Sequence, residues 1–111
     1  MHSITKENRV AISEVCERNH VASLHFFGSI LDHSRFNEDS DIDILVAFKE
    51  TLSLEDYTDC YFNLIFDLED LLGRNIDITT ERSLSNPYFI AELERTKVLF
   101  YQAQPLLSSH G

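Results

Sequence analysis

The sequence predicts an α/β fold in which a mixed β-sheet is flanked by α-helices within a single domain. Three observations support this prediction. Segments with apolar residues at helical spacing alternate with short runs of β-branched residues, in the order α-β-α-β-α-β-α-β. A chain of 111 residues has the length of one domain. Its apolar fraction of 43% is ordinary for a globular protein, so one core can form without disulfides or metal.

The first half of the chain contains a helix, a strand, a tight turn and a second strand. Residue spacing predicts a helix over residues 3–19 and a strand over residues 21–27. A short helix is expected from Gly28 to about Ser34, followed by a polar loop over residues 35–40. Residues 41–48 begin with acids and continue as a nearly unbroken apolar run, which is typical of a central strand covered on both faces.

The clearest helix of the chain begins at Ser53. Apolar residues recur at helical spacing after it, and Gly73 is a natural stop. The aromatic side chains of Tyr57, Tyr61 and Phe62 are expected in the core or on a partner surface rather than in a cofactor site.

Two strands and one helix complete the predicted sheet. A short strand is expected over residues 74–79. Asn86-Pro87 predicts the start of a helix, because asparagine caps helix N-termini and proline fits the first helical turn. A final strand is expected over residues 98–101. The site is then predicted at one end of the central strands.

One domain is expected over residues 1–103, with a flexible tail over residues 104–111. Nineteen acidic against nine basic residues give a formal net charge of −10, which argues against direct nucleic-acid binding and favours a basic partner protein or a cationic substrate.

The chain has no membrane-length apolar segment and no visible secretory leader, so we expect a cytoplasmic protein that binds no membrane. Cys16 and Cys60 lack metal-ligand spacing and are expected to be buried free thiols.

Two segments, Gly28-Ser29 and Asp41-Ile42-Asp43, predict a functional site. Glycine lets the backbone approach a ligand closely, and the Ser29 hydroxyl lies beside it. Side chains two residues apart on a strand point to the same face, so the carboxylates of Asp41 and Asp43 project together. Mg²⁺ typically binds one or two carboxylates together with substrate phosphates. The pattern therefore predicts Mg²⁺-dependent nucleotide chemistry.

A third acid, Asp77, is predicted to complete this set. An Asp-x-Asp pair alone is more often a solvated loop or a helix cap than a metal site. Here Asp41 and Asp43 lead into a buried strand, where uncompensated carboxylates are costly, and this favours a metal site. If the strand of Asp77 lies beside theirs, the three carboxylates converge. Asp77 would then bind a metal, polarise an attacking hydroxyl, or both.

Three segments follow one another along the chain: Gly28-Ser29, then after a loop Ser40-Asp41-Ile42-Asp43, and later Ile76-Asp77-Ile78. Together they resemble the minimal nucleotidyltransferases of the DNA polymerase β-like nucleotidyltransferase superfamily. The resemblance extends from the first helix to about Tyr101 and implies the nucleotidyltransferase fold. It implies nucleotide binding by Gly28, Ser29 and Ser40, with ATP or another NTP as substrate. It implies catalysis and Mg²⁺ binding by Asp41, Asp43 and Asp77. Many members are bacterial antitoxins encoded beside a HEPN-domain toxin, and some of them inactivate that toxin by transferring AMP to a tyrosine.

The stretch after Gly28-Ser29 departs from that family's pattern. The family usually has basic residues and a second glycine there, whereas this chain has Ile30, Leu31, Asp32 and His33. Positive charge that would hold phosphate is missing, and Asp32 would repel it. Arg35 or a partner protein would have to supply a cation. Weak nucleotide binding and weak activity are therefore expected.

Three functions fit the sequence. The first is an Mg²⁺-dependent enzyme that transfers AMP or another NMP from an NTP to a hydroxyl on a partner protein, as the antitoxin of a HEPN-domain toxin. The second is a degenerate module that neutralises its partner by binding alone, which the altered Gly28-Ser29 loop favours. The third is nucleotidylation of a cationic small molecule, which the acidic charge suits. The three acids favour the enzyme. The sequence leaves open which NTP is used, what the acceptor is, how many units are transferred, and whether the protein forms a homo- or hetero-oligomer.

Overall fold

The computed structural model describes residues 3–32 and 34–103, so the predicted tail at residues 104–111 and His33 lie outside the described residues. Helices and strands follow the predicted order, except that the first predicted helix is divided in two and a 3₁₀ turn replaces the helix between the first two strands. The helices are α1 (Ser3–Glu7), α2 (Arg9–Arg18), α3 (Leu54–Leu72) and α4 (Pro87–Thr96). The strands are β1 (Val21–Phe27), β2 (Ile42–Phe48), β3 (Ile76–Thr80) and β4 (Val98–Gln102).

The strands of the described chain form one mixed sheet in the order β3-β2-β1-β4. β1 is antiparallel to both β2 and β4, whereas β2 and β3 are parallel. Parallel neighbours need a crossover connection, which α3 provides between β2 and β3. The predicted α/β architecture on a mixed sheet is therefore confirmed, with β1 and β2 as its central strands.

The main core lies between one face of the sheet and helices α2 and α3. There, Ile44 of β2 and Leu64 of α3 belong to the same buried cluster. On the other face of β2, Leu45 is only 1% exposed. Helix α4 lies on this second face, where the rings of Phe27 and Phe89 meet edge to face at 6.2 Å between centroids. β2 is therefore covered on both faces, as its apolar run predicts.

Local sequence fixes the ends of α3 and α4 as predicted. The Ser53 hydroxyl accepts a hydrogen bond from the backbone N–H of Asp56 at 3.1 Å, and Gly73 ends α3 in the left-handed conformation with φ of +65°. The Asn86 side chain caps α4 by accepting from the backbone N–H groups of Tyr88 and Phe89, and Pro87 occupies the first turn.

Two predicted helices are shorter than their sequences suggest. The helix over residues 3–19 is interrupted at Asn8, whose side-chain amide donates to the carbonyl oxygen of Ile4 at 2.7 Å and so competes with the backbone. The helix after β1 is a single 3₁₀ turn, Gly28–Leu31. It ends there because Asp32 Oδ1 accepts from the backbone N–H and the hydroxyl of Ser34, which forms an Asx turn instead.

Both cysteines are buried free thiols, as predicted. Burial raises the pKa of Cys16 to about 12, so this thiol is unreactive. None of the described helices combines the length and the hydropathy that crossing a lipid bilayer requires.

Candidate active site

The ends of three strands place Gly28, Asp43 and Asp77 side by side. Gly28 directly follows β1, where Phe27 pairs with Asp43 of the antiparallel β2. Asp43 in turn pairs with Asp77 of the parallel β3. Neighbouring strands lie about 4.8 Å apart, so these residues share one edge of the sheet. The structure thus brings together the glycine turn and two of the acids that the sequence predicts for the site.

Asp43 lies in a crowded acidic environment. Burial raises its pKa from 3.8 to about 6, assisted by the negative charge of Asp77, a hydrogen bond to Asp77 and the charge of Asp41. The positive charge of Arg35 opposes this rise. A carboxyl group whose charged form is destabilised by acidic neighbours gains strongly from a bound cation. The electrostatics of the site therefore favour a cation beside Asp43.

The donor chemistry of Asp41, Asp43 and Asp77 fits a divalent cation, although the three do not surround one point. Asp41 is exposed and lies just before β2. Within residues 3–32 and 34–103, no three His, Cys, Asp or Glu side chains are grouped as metal ligands would be. Mg²⁺ needs only one or two carboxylates, since phosphates and water supply its other oxygens, and the Asp43–Asp77 pair suits that requirement. The predicted Mg²⁺ site stays a prediction.

Gly28 is required at its position by two features of the structure. Its φ of +74° is a conformation that side-chain-bearing residues rarely adopt. A Cβ atom at this position would clash with Oδ2 of Asp43 and would lie 3.3 Å from its Cγ. The backbone of the turn therefore touches the carboxylate directly. The neighbouring Ser29 hydroxyl makes no hydrogen bond to any residue in the described part of the chain, which leaves it available to a ligand.

A cavity of about 440 Å³ opens beside this turn, and Gly28, Asp32 and Arg35 are among the residues that line it. Phe89 and Glu92 of α4 also line this cavity. The sequence suggests Arg35 as a source of positive charge, and the structure places it close enough to influence Asp43. The contribution of α4 was missed, because helical periodicity identifies its buried face but not which of its other residues face a cavity.

The loop before β2 is organised by Arg74 and Ser40. The Arg74 guanidinium donates to the carbonyl oxygens of Asn37 and Ser40 at 2.7 and 3.0 Å and stacks on the ring of Phe36. The Ser40 hydroxyl accepts from the backbone N–H of Asn37 at 3.0 Å. Ser40 thus orders the loop, and its predicted nucleotide contact stays a prediction. β3 begins at Ile76 rather than at residue 74, shortly after the left-handed Gly73 that ends α3.

A larger cavity of about 570 Å³ lies at the opposite end of β2, among Lys49, Tyr57 and Arg82. It contains none of the residues that the sequence predicts for the site. Convergent polar groups with a perturbed pKa mark a functional site better than volume does, and Asp43, whose pKa is raised, lies against the Gly28 turn. We therefore assign the site to the edge of the sheet where Gly28, Asp43 and Asp77 meet, next to the smaller cavity.

Comparison with known proteins bears directly on this site. A family model described as polymerase beta, nucleotidyltransferase matches residues 11–105. A protein of Methanocaldococcus jannaschii with the name "putative protein adenylyltransferase" is 40% identical over 78 residues, which are 70% of this chain and 74% of the relative. The family match and the sequence similarity to this relative therefore each extend over most of the chain.

Solved structures agree with the sequence matches. A minimal nucleotidyltransferase superposes with a TM-score of 0.64 at 34% identity, over 84% of this chain and 89% of that one. The complex of a tri-AMPylated Shewanella oneidensis HEPN toxin with its MNT antitoxin matches with a TM-score of 0.60, over 90% of this chain and 74% of that one. At 20% identity, the latter match shows the fold alone.

Proposed function

This chain belongs to the polymerase beta nucleotidyltransferase family, and from that premise we propose that it transfers AMP from ATP to a hydroxyl group of a partner protein. It is a nucleotidyltransferase of the minimal type. The observation that carries the proposal is the pairing of Asp43 with Asp77 on adjacent strands, directly against the Gly28 turn. The relative's name, protein adenylyltransferase, supports AMP as the transferred group and a protein as the acceptor.

Asp41, Asp43 and Asp77 are the residues that would hold Mg²⁺. When bound, the ion offsets the charge of the triphosphate and stabilises the charge that develops on the leaving oxygen. Gly28 leaves space for phosphate oxygens at the turn, and the Ser29 hydroxyl donates a hydrogen bond to one of them. Arg35 adds the positive charge that the turn itself lacks.

The proposed transfer is a displacement at phosphorus. The acceptor oxygen attacks the α-phosphorus of ATP while the bond from that phosphorus to the bridging oxygen breaks, and pyrophosphate leaves. The hydroxyl proton passes to the carboxylate of Asp77 and then to water. Asp77 suits this role because its side chain is exposed, whereas Asp43 is partly buried between Gly28 and Asp77.

We propose a HEPN-domain toxin as the partner, and an antitoxin role for this chain. The Shewanella complex pairs an MNT antitoxin of the same fold with an AMPylated HEPN toxin. The formal charge of −10 suits association with a basic protein surface, because opposite charges accelerate and orient the encounter.

Incubating the HEPN-type partner with this protein, ATP and Mg²⁺ is expected to add one or more AMP units to the partner's mass. Asp41→Ala is expected to lower the rate of this addition by about a hundredfold or more, since it removes a charge that would hold the metal–nucleotide complex. Intact-mass spectrometry measures the addition, and a binding assay shows that Asp41→Ala still associates with the partner. If both proteins neutralise the partner equally and neither changes its mass, the chain acts by binding alone.

Asp32→Asn is expected to tighten ATP binding by about two- to fivefold, the range for one surface charge. Asparagine keeps an oxygen that can accept both hydrogen bonds from Ser34, so the turn is preserved while the negative charge beside the cavity is removed. Isothermal titration with ATP and Mg²⁺ measures the change, and Asp39→Asn in the neighbouring loop is the control for net charge. Unchanged or weaker binding by Asp32→Asn would show that this carboxylate does not face the phosphates.

A further inference from the structure

Two phenylalanines stand on the solvent side of α3. Phe62 is 50% exposed and Phe66 is 61% exposed, and their rings stack at 6.5 Å between centroids. The buried face of the helix is formed by Cys60, Leu64, Leu68 and Leu72, which point the other way. Large aromatic side chains that pack on each other in solvent are typical of protein interfaces, where such residues carry much of the binding energy.

Acidic residues surround these rings. Glu55, Asp59 and Asp70 fall on the same helical face as Phe62 and Phe66, at intervals of three or four residues. We call these five residues the α3 outer face. The helix carries six acidic residues and no basic one: Glu55, Asp56, Asp59, Asp67, Glu69 and Asp70.

The acidic residues of the α3 outer face form no ion pairs within the described part of the chain. Asp67 pairs with Arg18 at 3.2 Å, and Glu69 accepts a hydrogen bond from the backbone N–H of Ile76. In contrast, Glu55, Asp59 and Asp70 form no ion pair with any residue in the described ranges. Their charge is therefore free to act on another molecule.

Charge decides which molecule this surface can accept. A second copy of the chain would bring two such acidic helices together, and like charges facing each other at an interface are strongly unfavourable. Nucleic acid and anionic lipid are repelled for the same reason. A protein surface with apolar side chains ringed by lysine and arginine matches both the rings and the carboxylates.

We propose that the α3 outer face is the docking surface for the basic partner protein. The inference rests on the proposed function, because it specifies where the acceptor protein binds. Phe62 and Phe66 insert into an apolar groove of the partner, while Glu55, Asp59 and Asp70 pair with basic residues at the rim of the groove.

Docking on α3 separates binding from chemistry. Helix α3 packs on the face of the sheet that carries Ile42 and Ile44, whereas Asp43 alternates with them and points to the other face. A partner held on α3 therefore leaves the cavity beside Gly28 open to ATP. Changes on the α3 outer face should accordingly raise the KM for the partner and leave kcat unaltered.

The test compares Phe62→Gln/Phe66→Gln with Val10→Gln, a matched control on α2 where Val10 is 72% exposed. With the purified HEPN-type partner, the double variant is expected to bind at least about thirtyfold more weakly, with kcat for AMP transfer within about twofold of wild type at saturating partner. Asp59→Lys/Asp70→Lys is expected to weaken binding as well, and to make it less sensitive to salt than wild type. Val10→Gln is expected to bind as wild type does.

The outcomes separate this inference from the proposed function. If wild type transfers AMP and the double phenylalanine variant binds as tightly as Val10→Gln, the docking surface is wrong and the function stands. If wild type binds and transfers no AMP while the double variant loses binding, the surface is right and the enzymatic function is wrong. Wild type that does not bind the partner overturns both. Wild type that forms dimers which the double variant cannot form would show that a second copy covers this face.

Discussion

Asp43→Asn is expected to abolish AMP transfer and, at neutral pH, to make the folded protein more stable. Activity should fall by about a hundredfold or more, because the charge at the centre of the site is lost. Stability should rise because Asp43 is partly buried between acidic neighbours; asparagine removes the buried charge and the repulsion, and its amide N–H can donate a hydrogen bond to the Asp77 carboxylate. After discounting for the partial exposure of this side chain, the gain is about 1–2 kcal/mol.

The stability gain from Asp43→Asn should depend on pH in a defined direction. The pKa of Asp43 is about 6 in the folded protein and 3.8 as its ordinary value. Below pH 4 the carboxyl is protonated in both states, so its charge costs nothing. Between pH 4 and 6 the unfolded chain has lost the proton that the folded chain keeps, and the wild type loses stability as pH rises. Above pH 6 the full penalty applies.

Thermal unfolding of wild type and Asp43→Asn between pH 3.5 and 8 measures this effect. The two curves of melting temperature against pH should converge near pH 4 and separate by about 5 °C or more at pH 7.5. Asp39→Asn makes the same chemical change at an exposed position in the neighbouring loop and should follow the wild type. A pH-independent difference between wild type and Asp43→Asn would show that packing, not repulsion among the carboxylates, determines the effect.

Gly28→Ala is expected to remove nucleotide binding, whereas Gly73→Ala leaves it intact. Both glycines have positive φ, so alanine should cost about 1–2 kcal/mol of backbone strain at either position. At Gly73 the added Cβ meets nothing within 4 Å. At Gly28 it clashes with the end of the Asp43 side chain, which must rotate away. The carboxylate at the centre of the site is then displaced.

Parallel measurements of stability and ATP binding separate these two effects. Chemical denaturation should give similar losses for both variants, because the end of the Asp43 side chain can move at little cost to stability. ATP binding in the presence of Mg²⁺ should fall by at least about tenfold for Gly28→Ala only, as expected when a positioned charged contact is lost. Equal ATP binding by the two variants would place the nucleotide away from the Gly28 turn.

The features predicted correctly from sequence depend on neighbours along the chain. Ser53 and Gly73 delimit α3 because a hydroxyl cap and a left-handed glycine act within one turn of the residue concerned. The apolar run of residues 42–48 predicts a strand covered on both faces, which β2 is. Where sequence prediction of elements was wrong, at Asn8 and after Leu31, a side chain bonded to nearby backbone in a way that periodicity cannot show.

The interior of the site was predicted only in part. Asp77 was selected on the condition that its strand lies beside that of Asp43, and the parallel register of β2 and β3 meets this condition. Arg35 was named as one source of positive charge, whereas Phe89 was not foreseen, because its place beside the cavity depends on how α4 packs across the sheet. The aromatic residues of α3 divide in the same way: Tyr57 packs against the core and Phe62 is exposed.

The sequence by itself determined the order of the elements, their caps and the candidate acids, since these depend on side-chain chemistry and on spacing within single elements. Tertiary structure alone decided that Gly28 touches the Asp43 carboxylate, that burial and the charge of Asp77 raise the pKa of Asp43, and that the outer face of α3 carries exposed aromatic rings. These features join residues that are far apart in the chain. They are set by strand register and helix packing, which depend on the simultaneous burial of apolar surface from all elements of the domain.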